Sequence, residues 1–406
     1  MAKKPLNIYV QFPATNWEIP AFFVTDLPCS PFSVADYIKA LHLELEACLA
    51  PLAETHEVRS IYFSNLPGQL FLNNYLKELI AKVGERLTMR DDWECSLESD
   101  ADDLLPETAA LLNDFKRRRL VVRQYALNQR VSGSLGLPKL AKSEMDYFHE
   151  LIEIKRSCSL QLEMFFGIPG QSLPQFREDL LKVLELNPHA VSFYPLIPKS
   201  GSNLFKSQRG IIRRLRGRSG IYRLLERMRT LLDRCMDGKD YHRTSIYCYE
   251  LPGHEAQYNL AGWHSDDFVG IGSSALSRIT APDGSREERY NFQIPAAYSS
   301  NLLLGRDACK HRHILPPSLL IRDELAGALR GRQGIQLSQV EARFGHSFDE
   351  FFPQVLNILS ESEYIKVQDD TVTLTDKGSL VVDDLVANLM LPEFTSPDQL
   401  APRVAA

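Results

Sequence analysis

Between residues 6 and 250, short apolar runs alternate with longer stretches whose apolar positions recur every three to four residues. Short runs rich in β-branched and aromatic residues read as strands, and longer amphipathic stretches read as helices. Strands are expected at 6–12, 58–63, 93–97, 120–125, 160–165, 190–194 and 245–249, with helices between them. One helix covers 34–49, opened by Ser33 with Asp36 three residues on. Another opens at Ser172, with Gln175 in the capping-box position and Glu178 and Asp179 in the first turn, where the helix dipole favours acids. Repeated strand–helix alternation implies a parallel sheet with crossover helices. The periodicity fits an open sheet and a closed barrel equally.

Two stretches break this pattern. Lys206, Arg209, Arg213, Arg214, Arg216 and Arg218 form a basic insert running into a helix that carries Arg223, Arg227 and Arg229. It reads as a solvated face, or as a dock for carboxylates or phosphates, which guanidinium forks suit. From about Pro316 the texture changes to helices at 317–330, 338–344 and 349–362. A hairpin follows, Tyr364-Ile365-Lys366-Val367, then Asp369-Asp370, then 371–374, and a last helix at 378–390. This is the order of a winged-helix module. Asp369, Asp370 and Asp376 outweigh Lys366 and Lys377 there, whereas nucleic-acid binding needs net cationic contacts. A structural cover or partner surface is expected, and the tail beyond Pro392 is expected to fray.

Composition narrows the classes. A chain of 406 residues with net charge −6 carries no global polyanion-binding signal. The seven cysteines, at 29, 48, 95, 158, 235, 248 and 309, include no C-x-x-C pair, so a local zinc or iron–sulfur site is not expected. An odd, scattered set without a secretory leader implies reduced thiols in the cytoplasm. Nothing approaches the ~18 apolar residues of a membrane span. Cys309-Lys310-His311-Arg312-His313 could offer metal ligands but reads as a solvated loop in an interdomain linker.

The motifs carry a resemblance. Phe166-Gly167-Ile168-Pro169-Gly170-Gln171-Ser172 follows the fifth expected strand and opens a helix. Pro252-Gly253-His254-Glu255-Ala256-Gln257-Tyr258-Asn259-Leu260-Ala261-Gly262-Trp263 follows the seventh, and Asp267-Phe268-Val269-Gly270-Ile271-Gly272-Ser273-Ser274 comes next. Together they resemble the radical S-adenosylmethionine (SAM) family of oxygen-independent coproporphyrinogen III oxidases and HemW heme chaperones. Its patterns there are "YGLPGQT", "PGHxxxHNxxYW" and "YLGLGPGAHS". The likeness runs over residues 6–392. It implies a radical-SAM-like partial (β/α)6 barrel at 1–250, a connecting segment at 251–315, a winged-helix-like domain at 316–392 and a tail at 393–406.

What the family uses for its chemistry is altered. Its first loop reads "YIHIPFCxxxCxYC", and the three cysteine positions fall on Thr15, Ile19 and Phe22. Its "GGGTPS" becomes Ser64-Asn65-Leu66-Pro67-Gly68-Gln69, so every glycine of the triplet carries a side chain. Its "GVQSF" becomes Arg123-Gln124-Tyr125-Ala126-Leu127. The resemblance leaves a residual SAM-type pocket of Glu98, Glu163, Gly167, Pro169, Gly170 and Gln171. It also points to Tyr258, standing where the family has histidine, as a heme ligand with His254 beside it. The bland reading is that Tyr258 packs its ring and hydrogen-bonds its hydroxyl. The expectation is a protein without a 4Fe–4S cluster or radical activity. It would bind SAM weakly, and would bind heme or another tetrapyrrole or partner an active paralogue. Two alternatives stand beside it: a SAM-binding enzyme of polar chemistry such as methyl transfer, and a nucleic-acid-binding regulator.

Overall fold

A computed structural model describes residues 3–13, 32–65, 74–104, 111–135, 142–196, 218–263, 266–331, 334–345, 347, 350, 355–382 and 385–386. Thr15, Ile19 and Phe22 lie outside them, as do Leu66 of the altered glycine triplet and nearly all of the arginine insert.

The main body is built on a twelve-stranded sheet, ordered β12-β11-β10-β9-β1-β2-β3-β4-β5-β6-β8-β7. Its first six strands are β1 (Lys4–Gln11), β2 (His56–Ser64), β3 (Thr88–Asp100), β4 (Arg117–Tyr125), β5 (Ser159–Phe166) and β6 (Ala190–Pro195). All six are parallel and adjacent in chain order. The crossover helices are α1 (Val34–Leu49), α2 (Tyr75–Arg86), the short α3 (Gln129–Gly133), α4 (Glu144–Ser157), α5 (Leu173–Leu186) and α6 (Arg218–Met236). The first helix turns Tyr37, Ile38, Leu41, Leu45 and Leu49 inward at helical spacing, and Ser33 accepts from the Asp36 amide. The Ser172–Gln175 capping box forms as expected. Asp179 does more than complement a dipole: its carboxylate accepts from the amides of Leu127 and Asn128.

Three expectations are corrected. The seventh strand, β8 (Cys248–Glu250), runs antiparallel to β6. The sixth helix delivers the short β7 (His242–Arg243) to the edge, and a tight turn inserts β8 between β7 and β6. Residues 251–315 are not merely a connector. They supply the short helix α7 (Gln257–Trp263) and β9 (Phe268–Ile271), which joins the parallel core beside β1. They also supply β10 (Leu276–Thr280), β11 (Arg286–Asn291), α8 (Pro295–Leu303) and β12 (Cys309–Leu315), the three strands extending the sheet antiparallel. Cys309–His313 is therefore an edge strand rather than a loop, and its polar outer face suits an edge open to solvent. The Gly270-x-Gly272 pair serves this junction. A Cβ on Gly270 would lie 2.2 Å from the Leu276 carbonyl oxygen. One on Gly272, at φ +109°, would lie 2.3 Å from that of Gln11.

The C-terminal unit has its own core, including Ile321, Leu325, Leu329, Val340, Leu359 and Val372. Helices α9 (Pro317–Arg330), α10 (Leu337–Phe344) and α11 (Val355–Glu361) pack with β13 (Ile335–Gln336), β14 (Ile365–Gln368) and β15 (Thr371–Leu374), in the sheet order β13-β15-β14. A short helix α12 (Asp376–Leu380) follows. Asp369 and Asp370 hold φ of 50° and 79°, the turn that a two-residue hairpin requires. Asp370 also accepts from the Ser338 amide at 3.2 Å. Its charge is thus committed to the fold. Asp323 clamps the unit to the sheet through Arg278 (3.1 Å) and Arg286 (3.0 Å).

Candidate functional site at the carboxyl end of the parallel strands

Alternation along the parallel strands creates the site. Buried parallel strands commonly read as continuous apolar runs. Here one face is apolar, with Ile8, Val10, Ile61, Phe63, Cys95, Leu97, Leu120, Val122, Leu160, Leu162, Val191 and Phe193 in the main core. The residues between them form a polar inner face, which includes Asn7, Ser60, Glu94, Ser96, Glu98, Arg119, Gln161 and Ser192, all buried. Open α/β sheets bind ligands outside the carboxyl ends of their strands.

At that end β3 presents Glu98 and Asp100 on one face, two residues apart. Arg123 on β4 grips both: Nη1 lies 3.0 Å from Glu98 Oε1, and Nε donates to Asp100 Oδ1 at 2.8 Å. Tyr62 donates its hydroxyl to Glu98 Oε2 at 2.7 Å. Next along the sheet, Tyr194 donates to Glu163 Oε1 at 3.4 Å. Burial, reinforced by the charge of Glu98, pushes the Glu163 carboxyl up to about 8, which favours its protonated form. Burial alone would lower Arg123, but Glu98 and Asp100 outweigh it and hold the guanidinium charged. Burial and Glu98 also push the Tyr62 phenol well above its ordinary value.

Three tyrosines from distant segments meet here. Tyr258 of α7 lies 4.7 Å from the Tyr62 ring and 5.6 Å from the Tyr9 ring, centroid to centroid, and Tyr9 lies 5.7 Å from Tyr62. Burial, then Glu98, raises the Tyr258 phenol, and its hydroxyl makes no hydrogen bond among the described residues. Tyr125, Phe165, Tyr194 and Tyr247 continue the aromatic lining.

The structure thus gathers Glu98, Glu163 and Tyr258 at one mouth. The loop carrying Gly167, Pro169, Gly170 and Gln171 leaves β5 at the same end. Gln171 Oε1 accepts from the amides of Gly167 (3.0 Å) and Ile168 (3.3 Å), so the loop's own side chain engages those donors. Gly167 adopts φ +76°, and a Cβ there would lie 2.6 Å from Leu225 Cδ2. His254 does not join Tyr258. Its Nδ1 bonds Ser159 Oγ at 2.8 Å, its ring stacks on His189 at 4.1 Å, and its carbonyl accepts from Arg119. These partners sit at the opposite, amino end of β4 and β5. Sequence reasoning singled out neither Arg119 nor the tyrosines Tyr9, Tyr62 and Tyr194, and knew Arg123 only as a lost glycine. The available signal was polar residues at period two inside strands that ought to be apolar throughout.

A family model of the HemN C-terminal domain matches residues 315–381. The heme chaperone HemW of Lactococcus lactis is 20% identical over 88% of this chain and 90% of its own length. HemW of Haemophilus influenzae is 24% identical over 96% of this chain and 99% of its own. The structure of Escherichia coli coproporphyrinogen III oxidase (HemN), a radical SAM enzyme, superposes with a TM-score of 0.74 over 96% of this chain and 90% of that one, at 17% identity. No helix among the described residues is long and apolar enough to cross a membrane. By its C-terminal module, its relatives and its overall fold, this chain is a HemN- and HemW-like protein with a radical SAM fold.

Proposed function

We propose that this chain is a cluster-less relative of the HemN and HemW proteins that binds heme or a related tetrapyrrole instead of cleaving SAM. The observation that carries the first half is Thr15, Ile19 and Phe22 at the three positions where the family pattern has cysteine. A 4Fe–4S cluster is held by thiolates, and a neutral hydroxyl, an aliphatic chain and a ring do not fit it. Among the described residues the remaining thiols offer no substitute set. Cys95 and Cys248 are buried on the sheet, and burial pushes the Cys48 thiol up to about 12. The partial SAM pocket is engaged by its own residues, with Arg123 across Glu98 and Asp100 and Gln171 on the loop amides.

The second half is supported by the heme-chaperone relatives and by the tyrosine cluster. Tyr9, Tyr62 and Tyr258 offer aromatic surface to a flat macrocycle. The Tyr258 hydroxyl, without a hydrogen bond among the described residues, would serve as ligand to ferric iron. Binding as phenolate displaces a proton whose loss burial and Glu98 disfavour, so affinity should rise with pH. His254 has no part in this site. The test is titration with ferric heme followed by its Soret band, in the native chain and in Tyr258→Phe. The variant keeps the ring and removes the oxygen. Binding with an altered spectrum or at least tenfold weaker affinity in Tyr258→Phe supports the assignment. An identical spectrum and affinity overturn it. Stoichiometric cluster and 5′-deoxyadenosine formation after anaerobic reconstitution with iron and sulfide would overturn the first half.

A further inference from the structure

The amino end of the sheet holds a second cleft, of about 550 Å³, lined by Lys116, Arg117, Arg118, Arg119, Ser159 and His254 with Asp91, Asp92 and Glu94 on one side. Four consecutive cations enter it from the start of β4. We propose that this cleft binds an oxyanion-bearing small molecule, a phosphate ester or a polycarboxylate, at a site separate from the tyrosine-lined mouth.

The case rests on which charges are already committed. Glu94 is engaged on both oxygens. Its Oε2 takes Arg117 Nε at 2.9 Å, while its Oε1 takes Ser96 Oγ at 3.1 Å and the Gln257 amide at 3.2 Å. Asp92 is held by Arg90 at 3.1 Å. Asp91 remains exposed at the rim. Against these, Arg118 is held by carbonyls alone: Ser157 at 2.6 Å, Phe115 at 2.9 Å and Asn113 at 3.4 Å. That fixes a guanidinium in place without neutralising it. Lys116 is exposed and makes no ion pair among the described residues. Arg119, fully buried, gives Nη1 to Gln161 at 3.2 Å and Nη2 to the His254 carbonyl, while its Nε has no hydrogen bond and lies 3.6 Å from Glu94 Oε1. Ser159 holds His254 through Nδ1, which leaves Nε2 as a further polar atom at the cleft wall.

A fixed guanidinium, a mobile ammonium and a half-buried imidazole around one concavity suit an oxyanion, because guanidinium forks bind such groups bidentately and an ammonium adds a movable point charge. The volume lies within the range of small-molecule sites. This inference stands independently of the heme reading.

The experiment is calorimetric titration of the full chain, at low salt, with pyrophosphate and separately with citrate. It is repeated on Lys116→Gln/Arg118→Gln and, as a control remote from the cleft, on Lys366→Gln. Thermal melting checks that each variant is folded. Saturable binding of at least one probe is expected, weakened at least tenfold in the double variant and unchanged in the control. The arm that saturates at lower concentration assigns phosphate or carboxylate chemistry. Absence of saturable binding by both probes overturns the proposal. Equal affinity in the native chain and a folded double variant overturns it too.

Discussion

The two ends of the parallel strands are built from the same alternation yet are opposite in electrostatic design. At the carboxyl end, two acids on β3 are bridged by one guanidinium, burial and Glu98 raise the Glu163 carboxyl, and the remaining lining is aromatic. At the amino end, Lys116, Arg117, Arg118 and Arg119 stand near Asp91, Asp92, Glu94 and Glu250, and Arg118 is bound only to carbonyls. Family likeness directs attention to the first end, where Arg123 stands at a glycine position of the family pattern. The second end holds cations, Lys116 and Arg118, that make no ion pair among the described residues. The difference teaches that one set of parallel strands can present two chemically distinct ends, because the polar inner face continues along every strand.

Removing Arg119 should break the comparison most severely. It is 1% exposed and tied to Glu94, Gln161 and the His254 carbonyl. Breaking a buried pair leaves an uncompensated charge and typically costs about 3–5 kcal/mol. Arg119→Ala should lower the melting midpoint far more than Lys116→Gln, measured by denaturant unfolding at pH 7. Equal effects would mean that Arg119 is not the keystone of the amino end.

SAM should bind weakly at the other mouth. Hydrogen bonds to charged groups contribute about 1.5–3 kcal/mol each, so losing two anchors costs several powers of ten in affinity. Calorimetry of the iron-free chain should show no micromolar binding. A micromolar dissociation constant would favour polar SAM chemistry. Arg123→Gln, which frees Glu98 and Asp100, should strengthen SAM binding several-fold if the guanidinium is what blocks them. No change would assign Arg123 a packing role only.

Glu163 gives a pH test with a definite sign. Its pKa is raised on folding, from the ordinary carboxyl value to about 8. Its contribution to stability is therefore complete below its unfolded pKa and is lost as pH rises through about 8. The native chain should lose stability across pH 5 to 8 from this group. Glu163→Gln, neutral throughout, should show a shallower slope there and little change at pH 5. A slope identical to the native one would place the Glu163 titration elsewhere. The smallest effect is expected from Ser172→Ala. It removes the capping box from α5 and should cost about 1 kcal/mol without altering ligand binding at either end.

Local rules in the sequence determined much of this molecule. Six of the seven expected strands lie in the predicted parallel core. The caps at Ser33 and Ser172 form, and the C-terminal order of helices and hairpin is the one read from periodicity. These follow from interactions spanning a few residues, where spacing and residue type are sufficient. The missing thiols at positions 15, 19 and 22 are equally a matter of sequence. Tertiary structure alone decided which polar residues meet. Tyr9, Tyr62 and Tyr258 come from segments up to 249 positions apart, and no local pattern places their rings in contact. His254 and Tyr258 are near in sequence yet sit at opposite ends of the strands, because the chain turns into α7 between them. β8 reversed direction and residues 268–315 joined the sheet for a similar reason: strand pairing is chosen by long-range burial and hydrogen bonding, which a one-dimensional pattern does not encode.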